Sequence, residues 1–334
     1  MPIDTIRASA QYRGRTLDRA RERILMTKIS GSSQEQDLSA PVVCGGLGRI
    51  RHFHRTTSEG WPENPLPIDP AAQTLGLGEA LGNIEALVLQ NAACNWRCWY
   101  CYVPFNCLSA DERYSEWASM RDLVDRYADL TVRPPVLDLS GGQPELTPEM
   151  TLWTMRALRD RGLAGESFLW SDDNLSEEYF WTALTEAEQQ EITNYRNYAR
   201  VGCFKGFDAT SFSFNTMAEE GGFDRQFEIM RRSIKSGLRM YAYTTFTATA
   251  TRYLRAAMHT FVDRLQEIHP HMPLRTVPLE VQVFTPTSGR IRAEHLQALQ
   301  VQNEAVAAWM EELGARFTAE ERALPVYSVS LGLD

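Results

Sequence analysis

From residue 85 onward, short apolar runs alternate with longer stretches of helical periodicity. The six apolar runs are 85–90, 136–140, 167–170, 200–204, 238–247 and 277–284. The helical stretches that follow them are 116–130, 147–162, 175–199, 223–236, 252–268 and 294–313. Such alternation predicts βα units around a mostly parallel sheet. Six units fit a partial (β/α)6 barrel, and they also fit an open doubly wound sheet.

The polar motifs of the chain fall where these predicted strands end. They are the cysteine segment 94–101, the glycine segment 141–144, and the polar segments 171–174 and 205–208. In both candidate folds, ligands bind at the carboxyl ends of the strands. We therefore expect the four segments to meet at one site.

The cysteine segment carries the most specific chemistry. Cys94, Cys98 and Cys101 are separated by three and then two residues. Thiolates are the usual ligands of iron–sulfur clusters. A four-iron cluster has four corners, so three cysteines leave one iron open for another ligand, as in other catalytic metal sites. A structural zinc site is the alternative, and its fourth ligand would have to be Cys107 or a distant histidine.

Composition limits the class of partner and compartment. The net charge of −9 argues against a nucleic-acid partner, because phosphate binding needs a basic surface. No apolar run approaches the roughly 20 residues of a membrane span, and the N-terminus lacks the apolar core of a signal peptide. We expect a cytoplasmic protein, in which clustered cysteines bind metal more often than they form disulfides.

The pattern divides the chain into three segments. Residues 1–80 are rich in turn formers and predict a mostly irregular N-terminal extension, with one helix-like stretch at 16–29 and a glycine loop at 45–48. Residues 81–290 hold the βα units, and residues 291–334 predict a C-terminal helix and tail.

The cysteine and glycine motifs together resemble the radical S-adenosylmethionine (SAM) superfamily. Its cluster loop has this cysteine spacing, with an aromatic residue, here Tyr100, before the third cysteine. Its second strand ends in a motif that usually reads Gly-Gly-Glu-Pro, and this chain has Gly141-Gly142-Gln143-Pro144. The segment 204–208 resembles, less specifically, the activating enzymes of glycyl-radical proteins. The resemblance covers residues 85–290 and implies the partial barrel.

The resemblance also implies cofactors and residue roles. Cys94, Cys98 and Cys101 would hold a 4Fe-4S cluster whose open iron binds the amine and carboxylate of SAM. One electron, from a donor such as flavodoxin or ferredoxin, would then cleave SAM to a 5′-deoxyadenosyl radical that takes a substrate hydrogen. The residues implied in SAM binding are Tyr100, Gly141, Gly142, Gln143, Pro144, Ser171, Asp172, Asn174 and Lys205. Of these, Ser171, Asp172 and Asn174 are candidates for the ribose or the substrate, and Lys205 for the SAM carboxylate.

Three functional hypotheses follow. The first is a radical SAM enzyme acting on a small polar molecule, because no cysteine after Cys203 is present to hold an auxiliary cluster. The second is a radical SAM enzyme that modifies or activates a partner polypeptide, supported by the segment 204–208. The third is a non-enzymatic iron–sulfur or zinc protein, which would not cleave SAM.

Overall fold

A computed structural model describes residues 2–78 and 80–332. Its strands are β1 (Leu17–Asp18), β2 (Arg23–Thr27), β3 (Gly48–His54), β4 (Asn83–Leu89), β5 (Ser115–Ser119), β6 (Val136–Leu139), β7 (Phe168–Asp173), β8 (Tyr198–Phe204), β9 (Met240–Thr244) and β10 (Thr276–Pro278). Its α-helices are α1 (Thr5–Thr16), α2 (Ile68–Leu75), α3 (Met120–Ala128), α4 (Glu149–Asp160), α5 (Tyr179–Thr182), α6 (Glu186–Thr193), α7 (Ala209–Thr216), α8 (Gly222–Lys235), α9 (Leu254–Ile268), α10 (Thr285–Ser288), α11 (Ala293–Arg316) and α12 (Ala319–Arg322).

Seven strands form one curled sheet in the order β10-β9-β8-β7-β6-β4-β3. Neighbouring strands from β10 through β4 in this order pair in parallel, which makes six parallel strands. Strand β3 pairs antiparallel with β4 at one edge. Each parallel strand is followed by at least one helix. The predicted α/β class and the partial (β/α)6 barrel are thus confirmed.

The parallel strands are apolar on both faces, which explains why they read as continuous apolar runs. Leu137, Leu139 and Leu169 pack with the helices in the largest core cluster. Val136 and Trp170, on the opposite face of the same strands, belong to a second cluster inside the half barrel. Alternate residues of a strand point to opposite faces, so residue parity decides which side chains line the barrel interior.

Loops bridge the open side of the half barrel between its β3 and β10 edges. The Asp37 carboxylate accepts a hydrogen bond from the Thr285 backbone N–H at 3.0 Å. Further along, the Trp61 indole N–H donates to the Pro278 carbonyl at 3.2 Å. These contacts enclose the barrel interior on a side where the sheet itself is open.

Residues 1–80 hold more regular structure than their sequence predicts. The predicted helix at 16–29 is wrong: α1 ends at Thr16, and the apolar residues 24–26 lie in β2. Strand β2 pairs with β5 in a separate three-stranded sheet, which buries these side chains. Strand β3 follows the glycine loop and completes the main sheet. The division of the chain into three segments stays a prediction.

Two predicted element boundaries also differ. The sixth apolar run, 277–284, is a strand only as far as Pro278, and the last backbone bond to β9 is donated by the Leu279 N–H to the Thr244 carbonyl at 2.8 Å. The helix predicted over 116–130 begins at Met120, because 115–119 pair with β2. None of the helices in the described ranges is long and apolar enough to cross a membrane.

Candidate functional site

One cavity of about 1080 Å³ lies at the carboxyl ends of the parallel strands and extends into the half barrel. Ten of the twelve site residues predicted from the sequence line it: Cys94, Cys98, Tyr100, Cys101, Gly141, Gly142, Gln143, Asp172, Asn174 and Lys205. A cavity of this volume is at the upper end of what single small-molecule sites occupy. It is therefore large enough to hold more than one small molecule.

The cysteine loop is anchored by backbone hydrogen bonds on both sides. The Cys94 N–H donates to the Leu108 carbonyl at 3.1 Å, and the Cys101 N–H donates to the Cys98 carbonyl at 3.0 Å. The Arg97 N–H donates to the Thr216 carbonyl, which ties the loop to the end of α7. The three thiols are free and only partly buried, so they are held in place and accessible from the cavity.

The cavity disfavours thiolates when no cation is present. Burial raises the pKa of Cys98 to about 12, and it also raises the pKa of Cys94. Within the described chain, no three His, Cys, Asp or Glu side chains converge on a position for one metal ion. Because ligation requires a thiolate, a bound cation would have to offset this cost of burial.

Gly141 and Gly142 adopt positive φ angles of 81° and 67°. A Cβ on Gly142 would lie 2.3 Å from the Asn91 carbonyl oxygen and 2.5 Å from that of Ala93. A Cβ on Gly141 would meet the Gln90 side chain at 2.8 Å. The family resemblance implies that these glycines take part in SAM binding. The structure shows that they make room for the chain that leads from β4 into the cysteine loop.

The side-chain amide of Gln143 makes hydrogen bonds to other residues of the protein through both its nitrogen and its oxygen. Its Nε2 donates to Asp173 Oδ1 at 2.9 Å, and its Oε1 accepts the Asn174 N–H at 3.0 Å. A glutamate at this position would set two carboxylates against each other. The glutamine therefore suits this loop where the resembling family usually has the acid.

At the end of β7, alternate polar residues point to opposite faces of the sheet. Asp172 lines the cavity and accepts a hydrogen bond from the Ser140 hydroxyl at 2.5 Å. The Asn174 amide donates to Asn95 Oδ1 in the cysteine loop at 2.8 Å. Ser171 is fully buried and bonds to the Tyr198 hydroxyl at 2.7 Å, so it is outside the cavity lining. Pro144, also buried, forms the turn behind the loop and is likewise not part of the lining.

Lys205 is a half-buried cation whose ammonium makes no hydrogen bond or ion pair with any residue in the described part of the chain. Burial lowers its pKa, but the neighbouring Cys203, Tyr100 and Cys98 groups outweigh burial and raise it above the usual range. Tyr100 lies beside it, with its hydroxyl bonded to Thr245 Oγ1 at 3.0 Å. The cavity therefore contains an ammonium group close to the cysteine loop.

Sequence reasoning missed several residues of the cavity. Arg49 and Arg51 from β3 line it, as do Tyr243 and Cys203. The segment 49–53 shows no period-two pattern that would reveal the two arginines, because the apolar Phe53 shares a face with Arg49 and Arg51. Cys107, by contrast, is buried beneath the cysteine loop and packs with Val103 and other apolar side chains.

Comparisons with known proteins add little to this geometry. No protein-family model and no curated protein matches the chain. Among solved structures, it is similar to SuiB of Streptococcus suis bound to S-adenosylmethionine, with a TM-score of 0.43 and 13% sequence identity. The match covers 67% of this chain and 46% of the SuiB chain, so the aligned part spans less than half of that protein. A likeness at this level carries no argument about function.

The packing of Gly142 predicts a large difference between two glycine substitutions. Gly162 has a similar φ of 71° but no atom within 4 Å of a Cβ, which makes it the matched control. We expect G162A to lower the free energy of unfolding by about 1–2 kcal/mol through its φ angle alone. G142A should cost roughly 1–3 kcal/mol more because of the backbone clash. Equal losses in urea unfolding of the two variants would contradict the packing described here.

The buried carboxyl of Glu177, beneath the cysteine loop, should make the free energy of unfolding depend on pH. It is 8% exposed and accepts hydrogen bonds from Ser9 and Asn95 at 2.5 and 2.8 Å. Burial raises its pKa to about 7 from the ordinary 4.5. A raised folded-state pKa gives stability that is complete below pH 4.5 and is lost as the pH rises through 7.

Between pH 5 and pH 8, the wild type should therefore lose roughly 2 kcal/mol more unfolding free energy than E177Q, in which Oε1 can still accept both bonds. Denaturant titrations at the two pH values measure this difference. The same pH slope in both proteins would show that Glu177 stays ionised in the folded state.

Proposed function

We propose that this chain is a radical SAM enzyme that acts on a small polar substrate. The supporting observation is the shared cavity: three free thiols, a glycine loop and an unpaired ammonium face one space at the carboxyl ends of a parallel sheet. The motifs that carry the family resemblance lie far apart in sequence, and the fold brings them together.

The donor set fits a 4Fe-4S cluster. Cys94, Cys98 and Cys101 would hold the cluster, because they are three free thiols that line one cavity. Burial raises the pKa values of Cys94 and Cys98, so the positive charge of the irons would hold these two as thiolates. The thiols must stay reduced to bind iron, so we also propose a cytoplasmic location.

The remaining polar groups fit the parts of SAM. Lys205 would pair with the methionine carboxylate, and Tyr100 would contact the adenosine. Asp172 and Asn174 would contact the ribose hydroxyls or the substrate, and Asn174 also bonds to the cysteine loop. The Gln143 amide is occupied within the protein, so backbone groups of the 141–144 loop would hold the methionine ammonium.

When bound, the cluster and SAM supply one-electron cleavage to a 5′-deoxyadenosyl radical that removes a hydrogen from the substrate. The protein positions these groups and keeps solvent away from them. The cysteine loop is fixed through backbone hydrogen bonds, and Tyr100 is fixed by Thr245. The bridges from Asp37 to Thr285 and from Trp61 to Pro278 close the side of the half barrel.

These bridges also favour a small substrate over a folded partner chain. A polypeptide segment would have to pass between the loops that join the two sheet edges, whereas a small molecule fits the cavity beside SAM. The proposal includes a low-potential protein as electron donor, such as a flavodoxin or ferredoxin.

The proposal predicts the behaviour of two cysteine variants. Anaerobically reconstituted wild type should contain four irons per chain and, after reduction, convert SAM into 5′-deoxyadenosine and methionine. We expect Cys98→Ala to lower the rate of this conversion by at least 100-fold, because one iron loses its protein ligand. Product formation by liquid chromatography measures the rate.

Cys44→Ala is the matched control. Cys44 is 6% exposed, packs in the main core and lies outside the cavity lining, so its loss should leave iron content and SAM cleavage close to wild type. Undiminished SAM cleavage by Cys98→Ala, or no cleavage by the wild type, would contradict the proposed function.

A further inference from the structure

Two arginines lie on the inner face of the half barrel at its β3 edge. In the β3–β4 ladder, Arg49 pairs with Val88 and Arg51 pairs with Ala86, and both guanidinium groups line the cavity. Ile50, between them, points to the opposite face and packs against the main core. Strand β3 therefore places two arginine side chains in the cavity. Deeper in the barrel, the interior is lined by apolar side chains.

Neither guanidinium group donates a hydrogen bond to any residue that the structure describes. Arg49 is only 8% exposed, and its buried Nε has no partner among the described residues. Its charged group lies 5.0 Å from the centroid of the Tyr102 ring, and no carboxylate of the described chain is within ion-pair distance. Arg51 has one ionic neighbour, Asp138 at 3.9 Å, a separation too long for a hydrogen bond. Buried charges without such partners are costly, so they are expected where a ligand supplies them.

None of the nearby acidic groups in the described ranges accepts a hydrogen bond from either guanidinium group. Asp138 is fully buried and accepts no hydrogen bond from a residue in the described ranges, and burial followed by the Asp172 charge raises its pKa well above the usual range. Asp172 is bonded to Ser140. Asp37 and Glu280, at the mouth of the cavity, are bonded to Thr285 and Ser58.

We infer that Arg49 and Arg51 form the binding site for an oxyanion group, a carboxylate or a phosphate, on the substrate. This inference rests on the proposed function, because it concerns the second molecule in the cavity that would hold SAM. Guanidinium groups bind such oxyanions through paired N–H donors. The substrate class is thus a small anionic molecule, anchored at β3 with its remainder extending toward the cysteine loop.

The site is better suited to the substrate than to SAM. SAM carries a sulfonium cation, which two guanidinium groups would repel, and its single carboxylate has Lys205 as its proposed partner. The arginines are on the strand at the sheet edge, whereas Lys205 follows β8, three strands beyond β4 in the sheet. Two separate cationic positions in one cavity fit two separate anionic groups.

Calorimetric titration of the anaerobically reconstituted full chain tests this inference with three probes: inorganic phosphate, acetate and SAM. We expect saturable binding of at least one of the two oxyanions to the wild type. Arg49→Met should weaken this binding at least tenfold, and Lys205→Met should instead weaken SAM binding at least tenfold. Arg252→Gln, which removes an exposed arginine outside the cavity, is the control and should change neither.

The outcomes separate the inference from the proposed function. The oxyanion that binds more tightly identifies the substrate group as carboxylate or phosphate. Failure of both to bind, or equal binding to Arg49→Met, overturns the inference. A larger loss of SAM than of oxyanion affinity in Arg49→Met also overturns it, because the guanidinium would then hold SAM. If wild type binds no SAM but shows arginine-dependent oxyanion binding, the proposed function fails and the anion site stands.

Thermal unfolding gives a second readout of the same variant. Removing a buried charge that lacks partners should leave the melting temperature of Arg49→Met unchanged or raised in the absence of oxyanion. A fall of several degrees would identify Arg49 as a structural group and overturn the inference.

Discussion

The site depends on one buried hydrogen-bond chain that joins the ends of three elements. Asn95 of the cysteine loop bonds to Asn174 after β7, whose N–H bonds to Gln143 after β6, and Gln143 bonds in turn to Asp173. Every member is buried, so each lost partner would leave an unsatisfied polar group. This chain fixes the cysteine loop relative to the glycine loop, and the positions of Cys94 and Cys98 follow from it.

Packing behind the loops reinforces the same arrangement. Gly142 allows its loop to touch the backbone that leads into the cysteine segment. Beneath that segment, Glu177 and Ser9 meet the Asn95 amide, which connects α1 to the site. The segment before β3 is thus part of the structure that supports the cavity. It does not simply lie on the surface of the barrel.

The sequence predicted the meeting of the four motif segments because parallel strands place their carboxyl ends at one edge. Four strand ends were enough to bring Cys94, Gly141, Asp172 and Lys205 to one cavity. The sequence alone could not show which residues at the end of β7 face the cavity. Asp172 faces it, whereas Ser171 faces Tyr198 of the next strand.

Strand β3 was missed for a related reason. Its inner face carries Arg49 and Arg51 and its outer face includes the exposed His52 and His54, so no apolar run reveals it. Only pairing with β4 makes it a strand. The helix predicted at 16–29 failed because a short apolar run fits a helix or a strand equally well. There the pairing of β2 with β5, distant in sequence, decided the outcome.

The central claim is that the cysteine loop holds a cluster with one iron open to SAM. Electron paramagnetic resonance of the reduced, reconstituted protein, recorded with and without SAM, tests it most directly. The account predicts the signal of a reduced 4Fe-4S cluster whose g values shift when SAM is added. A protein that retains zinc in place of iron, or a cluster signal that SAM leaves unchanged, would contradict it.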